Sequence, residues 1–375
     1  MKLLINTAHQ RFGGAIQVAL SFIHECKAIS GHEYHVIVGQ GLKNRLHISD
    51  FPSNFKFYDL DLGVIKLRNL LNIQRKLESL EKEIQPDCII STTGPTYFKS
   101  QTPQVIGFNL PLYIYPESPF LSTLSKWKRL RLFLKKKLHV FYFKRDAIAY
   151  VVQTYDVNQR VRKLLNNLNV YTVSNTYNHY YEKPIILAPK LPKKRKEEFR
   201  LLTISAWYPH KNLDIIPKIA EIFKNRKISN VRFVLTLNQA DFEKIVPDDM
   251  RDVILNVGPV EPKDCPSLYK ECDAMFLPTL AECFSASYPE AMIMEKPIIT
   301  TSLGFAKSIC GEAALYFEPL NPIDAALKIS ELINNSDMQS DLVDKGMKQL
   351  KEFNSPNERA HKYIQICKSL SLNKK

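Results

Sequence analysis

The chain has 375 residues, 45% of them apolar, a length that favours two domains over a single core. No apolar run approaches the roughly 18 residues that span a bilayer, and the first residues lack a signal-peptide core, so we expect a cytoplasmic protein. The net charge of +14 lies mainly in residues 1–175, with 24 Lys and Arg against 12 Asp and Glu. A polyanionic or membrane partner should therefore be sought in the first half. The seven cysteines lack paired CxxC spacing, which argues against a disulfide framework and a structural zinc site.

Short apolar runs alternate with amphipathic stretches along the whole chain. The first half has predicted strands at KLLINTA, YHVIVGQ, DCIIST and QVIGF, and predicted helices at AIQVALSFIHEC and LLNIQRKLESLEKEI. The second half has predicted strands at RLLTIS, VRFVLTL, VILNVG, AMFLPT, PIITT and ALYFEP, separated by helices such as NLDIIPKIAEIFKNR and PIDAALKISELINN. This alternation predicts two α/β units, each with a parallel sheet covered by helices.

The boundaries of these units follow from composition. We expect a first domain at 1–175, a linker rich in proline and lysine at 176–199, and a second domain at 200–355. A C-terminal helix at 356–375 is expected to pack back on the first domain. Ligands of open parallel sheets bind at the carboxyl ends of the strands, so the default site is the cleft between two such units.

Residues 126–145, KWKRLRLFLKKKLHVFYFKR, carry nine Lys and Arg and no acid. On a helical wheel an apolar stripe runs along one side, formed by Trp127, Leu130, Leu134, Leu138 and Phe141. A basic amphipathic helix of this kind is typical of an anchor on an anionic membrane surface. The alternative is a domain helix whose stripe is core. No nucleic-acid-binding motif accompanies it, so no nucleic-acid partner is expected.

The stretch LAECFSASYPEAMIMEKPII places Glu282 and Glu290 eight positions apart. The strand AMFLPT precedes it, and Pro289 fits only a first helical turn, so we expect a helix that begins near Ser287. A helix N-terminus with a carboxylate on either side suits a sugar phosphate or a nucleotide. The alternative is that Glu290 only favours the helix dipole and Glu282 is a solvated loop residue.

This stretch resembles the E-x7-E signature of retaining glycosyltransferases of family 4. Cys283 and Ser285 stand where that family usually has glycine, while the matching positions are Glu282, Phe284, Glu290, Ala291, Met292, Pro297 and Ile298. The resemblance implies a GT-B fold, in which two Rossmann-like domains face each other across a cleft. It also implies transfer of a sugar from a nucleotide diphosphate sugar to a saccharide acceptor, with retention.

The resemblance also assigns roles to residues. Glu290 would hold the ribose hydroxyls, and Glu282 would face the donor sugar. Backbone N–H groups of Phe284, Ser285 and Ala286 would lie close to the sugar and phosphate.

A second segment, TISAWYPHKNLDII, resembles the family's strand–loop–helix segment G-R-L-x-P-x-K-[GN]. Lys211 aligns with a lysine that contacts the diphosphate, and we place it with Glu282 among the catalytic residues. Ala206 occupies the position of a phosphate-binding arginine. His210 or Lys307 would have to compensate for that missing cation.

Two glycine-containing loops complete the resemblance. Gly258 and Val260, in VILNVGPVEPKD, would lie near the nucleobase, although an ordinary turn explains them nearly as well. Gly13 and Gly14 lie between a strand and a helix and resemble the family's GG loop. They form neither a dinucleotide fingerprint nor a Walker motif. GT-B enzymes generally need no metal; we expect no metal and no cofactor, and interpret the sequence DLD at 59–61 as a strand end.

The sequence therefore predicts a glycosyltransferase. The basic helix indicates a lipid-linked saccharide acceptor, peripheral binding to the cytoplasmic face of a membrane, and a role in surface polysaccharide biosynthesis. Two alternatives remain open: a GT-B-like nucleotide-sugar epimerase or phosphorylase, and a non-enzymatic basic protein that binds membrane or RNA.

Overall fold

The structure is a computed structural model that describes residues 1–11 and 13–372. The chain divides into two compact units. The first comprises Met1–Ile114, Leu124–Asn175 and the segment that begins at Asn354; the second comprises Tyr115–Thr123 and Thr176–Phe353. Each unit is built on its own parallel β-sheet, as the alternation of strands and helices predicts.

The first unit contains a sheet whose strands are ordered β3-β2-β1-β4-β5-β6-β7, all parallel. Its strands are β1 (Lys2–Asn6), β2 (Glu33–Val38), β3 (Phe55–Asp59), β4 (Cys88–Ser91), β5 (Gln104–Gly107), β6 (Ala149–Val152) and β7 (Val170–Thr172). Its helices are α1 (Gly14–Glu25), α2 (Leu70–Ile84), α3 (Pro111–Ile114), α5 (Lys126–Asp146), α6 (Tyr155–Leu165) and α14 (Pro356–Leu372). Two of these helices begin at a side-chain cap: Ser125 Oγ accepts from Lys128 N at the start of α5, and Thr154 Oγ1 accepts from Val157 N at the start of α6.

The second unit repeats the plan with strands ordered β10-β9-β8-β11-β12-β13, again all parallel. Its strands are β8 (Phe199–Thr203), β9 (Val231–Leu235), β10 (Ile254–Asn256), β11 (Ala274–Leu277), β12 (Ile298–Thr301) and β13 (Leu315–Phe317). Its helices are α4 (Phe120–Thr123), α7 (Ile215–Asn225), α8 (Gln239–Ile245), α9 (Cys265–Glu271), α10 (Ser287–Ile293), α11 (Gly304–Cys310), α12 (Pro322–Ile333) and α13 (Ser336–Leu350). Strands buried on both faces explain the continuous apolar runs in the sequence.

The C-terminal helix α14 completes the first unit. Arg359 is buried and donates hydrogen bonds to Asn175 Oδ1 and Ser21 Oγ, which offset part of the cost of burying its charge; its Nε has no partner among the described residues. The ring of Tyr363 packs edge-on against Phe22 of α1, with centroids 5.2 Å apart. These contacts join the end of the chain to its beginning.

Two segments lie elsewhere than composition indicates. Residues 115–123 belong to the second unit rather than the first, and Ser118 Oγ donates a 2.7 Å hydrogen bond to Leu280 O there. The stretch 176–199, expected as a linker, also packs on the second unit, where the backbone N–H groups of Lys190 and Leu191 donate to Glu271 of α9. The proline and lysine content of a segment can indicate the end of a domain, but it does not predict the hydrogen bonds that the segment forms with a neighbouring domain.

Candidate active site

In the second unit, the loops after β8 and β11 lie side by side. These strands are neighbours in the sheet, yet the connections that leave them run to opposite edges, and such a switch point is where open α/β sheets bind ligands. The 3₁₀ turn Pro209–Lys211 follows β8, and Glu282 lies on the loop after β11. The backbone N–H of Leu280 donates to His210 O at 2.8 Å and holds the two loops together.

Lys211 and Glu282 meet at this point. Lys211 Nζ lies 2.5 Å from Glu282 Oε1, and the two side chains are only 16% and 12% exposed. Thr279 Oγ1 lies 3.1 Å from the same carboxylate oxygen, and Thr301 fixes Thr279 by donating to its carbonyl at 2.7 Å. The structure thus brings the two predicted catalytic residues into one oriented, mostly buried ion pair.

Glu290 lies in α10, a helix that begins at Ser287 as the proline position predicts. Burial raises the pKa of Glu290 to about 7, although a hydrogen bond from Tyr181 acts in the opposite direction. The negative charge of Glu290 in turn adds to burial in raising the pKa of Tyr180 and Tyr181 above the ordinary value. Burial therefore favours the protonated carboxyl group of Glu290 more than water does, so this group can either donate or accept a hydrogen bond.

The loop between the two glutamates keeps a regular backbone without glycine. None of residues 282–286 is among the described residues with positive φ. Cys283 and Ser285 are buried, and the ring of Phe284 packs edge-on against Phe353 with centroids 5.6 Å apart. Ala286 immediately precedes α10. Side chains at 283 and 285 are therefore compatible with the backbone that this loop adopts.

His210 contributes no positive charge at neutral pH. Burial is the main cause and lowers the pKa of the His210 imidazole. The negative charge of Glu282 opposes this shift, and the positive charge of Lys211 adds to it. Its ring stacks on Tyr208 with centroids 5.7 Å apart, and the lowered pKa favours the neutral imidazole. Lys307 lies in α11 with its ammonium group 5.8 Å from the centre of the Tyr316 ring.

Gly258 and Val260 follow β10, the edge strand of the sheet, whereas Lys211 and Glu282 follow β8 and β11. Gly258 has φ +74°, a left-handed conformation that favours glycine. Its role in the turn is therefore established, while its predicted place near a nucleobase stays a prediction.

The first unit has an equivalent switch point between the loops after β1 and β4. Gly13 (φ 73°) and Gly14 lie at the end of the loop after β1, where α1 begins. His9 Nε2 hydrogen-bonds Thr93 O at 2.9 Å, and burial lowers the pKa of His9 to about 4 despite that bond. Its Nδ1 is buried and has no hydrogen-bond partner in the described part of the chain. His9, which no sequence motif marks, offers a neutral imidazole acceptor beside the glycine loop.

The apolar stripe of α5 faces away from the core. All five predicted stripe residues are exposed, from 37% for Leu138 to 73% for Trp127. The buried side chains of the helix are His139, Tyr142, Phe143 and Asp146, which lie at its carboxyl end. The interpretation of the stripe as core is therefore wrong.

Two structural features that would indicate membrane insertion or metal binding are absent from the described residues. Across 1–11 and 13–372, no helix combines the length and apolarity required to cross a bilayer. Within the same residues, no group of three or more His, Cys, Asp or Glu side chains is arranged to hold a metal ion.

Residues 188–349 match the family Glycosyl transferases group 1, and this stretch, which contains Lys211, Glu282 and Glu290, is a glycosyltransferase group 1 domain. Over 165 residues the chain is 29% identical to an uncharacterized glycosyltransferase of Methanocaldococcus jannaschii. That match covers 40% of this chain and 43% of the relative.

Solved structures extend the similarity to the whole fold. HepE of Anabaena, solved in complex with UDP and glucose, superimposes with a TM-score of 0.71 at 15% identity, over 98% of this chain and all of that one. WaaG, a glycosyltransferase involved in lipopolysaccharide biosynthesis, has a TM-score of 0.71 at 14% identity, over 98% of this chain and 99% of that one. The chain therefore has the two-domain α/β fold of these two structures, the GT-B fold, as predicted.

Proposed function

We propose that this GT-B protein is a retaining glycosyltransferase of the family 4 type. It would transfer a sugar from a nucleotide diphosphate sugar to a saccharide acceptor carried by a lipid, in surface polysaccharide biosynthesis. The observation that carries the proposal is the Lys211–Glu282 pair at the switch point of the second sheet, inside the group 1 domain. UDP and glucose in the HepE complex agree with a donor of this class.

The pair supplies the two functions that a donor site needs. Lys211 offers a positive charge to the diphosphate. Its hydrogen bond to Glu282 restricts the lysine side chain to few rotamers. Among the described residues, Glu282 accepts at Oε1 from Lys211 and Thr279, and its other oxygen can accept a hydroxyl hydrogen of the donor sugar. Because the pair is mostly buried, both interactions would act where water screens them little.

The reaction we propose is a front-face substitution. The bond between the anomeric carbon and the diphosphate oxygen breaks, and a bond to the acceptor oxygen forms on the same face. The departing diphosphate oxygen takes the proton of the acceptor hydroxyl, so Glu282 is not a nucleophile. Lys211 stabilises the negative charge that develops on the leaving group, which is commonly the largest catalytic contribution.

Glu290 would bind the ribose of the donor. An ionised carboxylate can accept from both ribose hydroxyls, and the hydroxyl of Tyr181 supports that charged form. Nucleotide binding should therefore favour ionisation and release a proton from Glu290 near pH 7. Tyr181 would act as a positioning residue through Glu290.

The acceptor would be presented at a membrane surface by α5. Its exposed apolar stripe and nine basic residues match a bilayer with anionic headgroups, at the cytoplasmic face. Trp127 at 73% exposure would reach the headgroup boundary. A nucleic-acid partner would use the basic residues but leave the aliphatic ones without a role.

Donor binding is tested by thermal unfolding with UDP, GDP and ADP and their sugar conjugates. A nucleotide at ten times its dissociation constant should stabilise the folded protein by about 1.4 kcal/mol. Glu290→Gln should abolish the gain, while the control Glu295→Gln, at an exposed position just after the same helix, should keep it. No shift with any nucleotide would refute the donor site.

Product analysis tests the reaction. A new glycosidic bond with the anomeric configuration of the donor, read by NMR, is the expected result. An epimerised nucleotide sugar or a sugar phosphate would instead identify an epimerase or a phosphorylase.

Membrane binding is tested by flotation with phosphatidylglycerol and phosphatidylcholine vesicles. We expect binding to the anionic vesicles only, and its loss in the double variant Trp127→Ser, Leu134→Ser. Leu168→Ser alters an equally exposed leucine of the same unit and should bind like the wild type. Equal binding to both vesicle types, or by the double variant, would refute this role of α5.

A further inference from the structure

A groove lies in the first unit between the beginning of α2 and the end of α5. Its volume is about 520 Å³, within the range of roughly 300–1,000 Å³ that is usual for small-molecule sites. We call it the α2–α5 groove and define it by leucines 67, 70 and 71 on one side and by Tyr97, Lys99, Tyr142 and Arg145 on the other. Neither the group 1 domain nor the proposed donor site includes these residues.

The leucine side of the groove is unusually exposed. Leu67 and Leu71 are 70% and 75% exposed, although α2 buries a different face through Ile73, Leu77 and Ile84. Leu67 and Leu71 therefore do not serve the core of the unit, whereas Leu70 is partly buried against it. Together they form an apolar surface that has no covering element among the described residues, which marks a binding surface.

The opposite side is rigid and aromatic. The rings of Tyr97 and Tyr142 pack edge-on with centroids 4.9 Å apart. Tyr97 OH lies 3.0 Å from Nε2 of the buried His139, whose Nδ1 lies 3.1 Å from Tyr113 OH. The backbone of Tyr97 is left-handed, with φ 56°, an unusual conformation for a bulky residue that this network helps to hold. The wall is thus fixed before any ligand arrives.

Two cations stand at the rim. The Arg145 guanidinium lies over the Tyr142 ring at 4.6 Å, and its Nε donates to Asp146 Oδ1 from the outer side at 2.6 Å. Arg145 Nη2 is itself buried and has no hydrogen-bond partner in the part of the chain that the structure describes, while the Arg145 side chain as a whole is 29% exposed. Lys99 is exposed and lines the same groove. An anionic group at this rim would meet two positive charges, of which that of Arg145 is already paired with Asp146.

The groove is continuous with the exposed stripe of α5. Leu134, Leu138, Phe141 and Arg145 follow one another at spacings of four, three and four residues, which places them on one side of the helix. The ring of Phe141 also packs against Tyr142, with centroids 5.3 Å apart. The exposed stripe of α5 therefore leads toward the end of the helix that lines the groove.

We infer that the α2–α5 groove binds one lipid molecule that carries a phosphate. The hydrocarbon chain lies against the leucines and tyrosines, and the phosphate lies between Lys99 and Arg145. The inference rests on the proposed function, because this lipid would be the carrier of the saccharide acceptor. A bilayer surface alone would need exposed residues but no groove with a cationic rim.

The test measures binding of farnesyl phosphate to the full chain by calorimetry, below the concentration at which the lipid forms micelles. Leu71→Asp should weaken binding about tenfold or more, since a carboxylate would meet both the hydrocarbon chain and the phosphate. Lys99→Ala should weaken it less. The matched controls, Leu168→Asp and Lys163→Ala, lie on exposed positions of the same unit and should bind like the wild type.

Two further ligands separate the sources of affinity. Farnesol should bind more weakly than farnesyl phosphate, and inorganic phosphate should not compete with it. Equal affinity for farnesol would overturn the role of the rim. Full competition by inorganic phosphate, or unchanged binding to Leu71→Asp, would overturn the lipid site.

The same preparation distinguishes this inference from the proposed function. If a nucleotide stabilises the protein but farnesyl phosphate does not bind, the groove fails and the donor site stands. If farnesyl phosphate binding depends on Leu71 while no nucleotide binds, the groove stands and the transferase proposal fails. The vesicle variant Trp127→Ser, Leu134→Ser should still bind farnesyl phosphate, because it leaves the residues of the groove intact.

Discussion

The ion pair between Lys211 and Glu282 makes the candidate site testable without knowledge of any substrate. Lys211→Met and Glu282→Gln each remove one charge and keep most of the side-chain volume. Each single variant leaves the other charge in a position where only 16% or 12% of the side chain is exposed. The double variant removes both charges, so its loss of stability should be smaller than the sum of the two single losses.

The magnitude follows from the burial and the remaining partners. Breaking a fully buried pair costs about 3–5 kcal/mol, whereas a hydrogen bond to a charged group contributes about 1.5–3 kcal/mol. Some exposure remains and Thr279 still lies 3.1 Å from Glu282, so the lower range applies. We expect a coupling energy of about 2 kcal/mol and, for a unit of this size, a fall in the unfolding midpoint of roughly 4–8 °C in each single variant.

The assay is calorimetric and urea-induced unfolding of the four proteins in the cycle. The control is a second cycle on Lys224 and Asp249, an ion pair of the same unit at 2.9 Å with side chains 65% and 63% exposed. Solvent screens that pair, so no coupling should be measurable. If the effects at 211 and 282 add to within about 0.5 kcal/mol, the two residues do not act as a buried pair.

Three further predictions concern other parts of the molecule. Because the folded-state pKa of Glu290 is raised to about 7 from 4.5, the folded protein binds this proton more tightly, and its stability should fall as pH rises between those values. Glu290→Gln should remove that fall. In urea unfolding, the free energy of unfolding of the variant should therefore rise by up to about 3 kcal/mol relative to the wild type between pH 4.5 and pH 8. A constant difference between the two proteins across this range would contradict the raised pKa of Glu290. His9→Ala should lower kcat/KM for the saccharide acceptor about tenfold, because one buried hydrogen-bond acceptor atom is lost. The affinity for nucleotide, measured by calorimetry, should stay unchanged. An unaltered kcat/KM would leave the imidazole with a structural role only. Gly107→Ala would place a Cβ atom 1.9 Å from Thr92 O and should lower the free energy of unfolding in urea by about 1–3 kcal/mol or more. The control Gly304→Ala, whose Cβ would have no atom within 4 Å, should leave it unchanged. Equal urea midpoints for the two variants would refute the clash.

Much of the fold could be predicted because parallel sheets leave strong local patterns. The stretch LLNIQRKLESLEKEI coincides with α2, since its buried residues Ile73, Leu77 and Ile84 recur at helical spacing. The position of Tyr115–Thr123 could not be predicted in this way. Its place in the second unit depends on contacts such as that of Ser118 with Leu280, 162 residues away in sequence.

The candidate site was predictable only where a motif fixes several residues at once. Glu282, Glu290 and Lys211 belong to such motifs, and the structure brings Lys211 and Glu282 into contact. Tyr181 and His9 carry no spacing signal, because each acts alone and meets its partner through the fold. A polar residue directly after the first strand was the one available indication for His9.

The departures from the family pattern have unequal physical weight. Cys283 and Ser285 replace glycines in a loop whose backbone, among the described residues, has no positive φ from 282 to 286, so a side chain there needs no change of conformation. Ala206 is different, because an exposed methyl group cannot replace a guanidinium. The neutral imidazole of His210 supplies no charge either. If the proposed function is correct, stabilisation of a leaving diphosphate would depend on Lys211 more than the family pattern implies, with Lys307 as the remaining candidate for the missing cation.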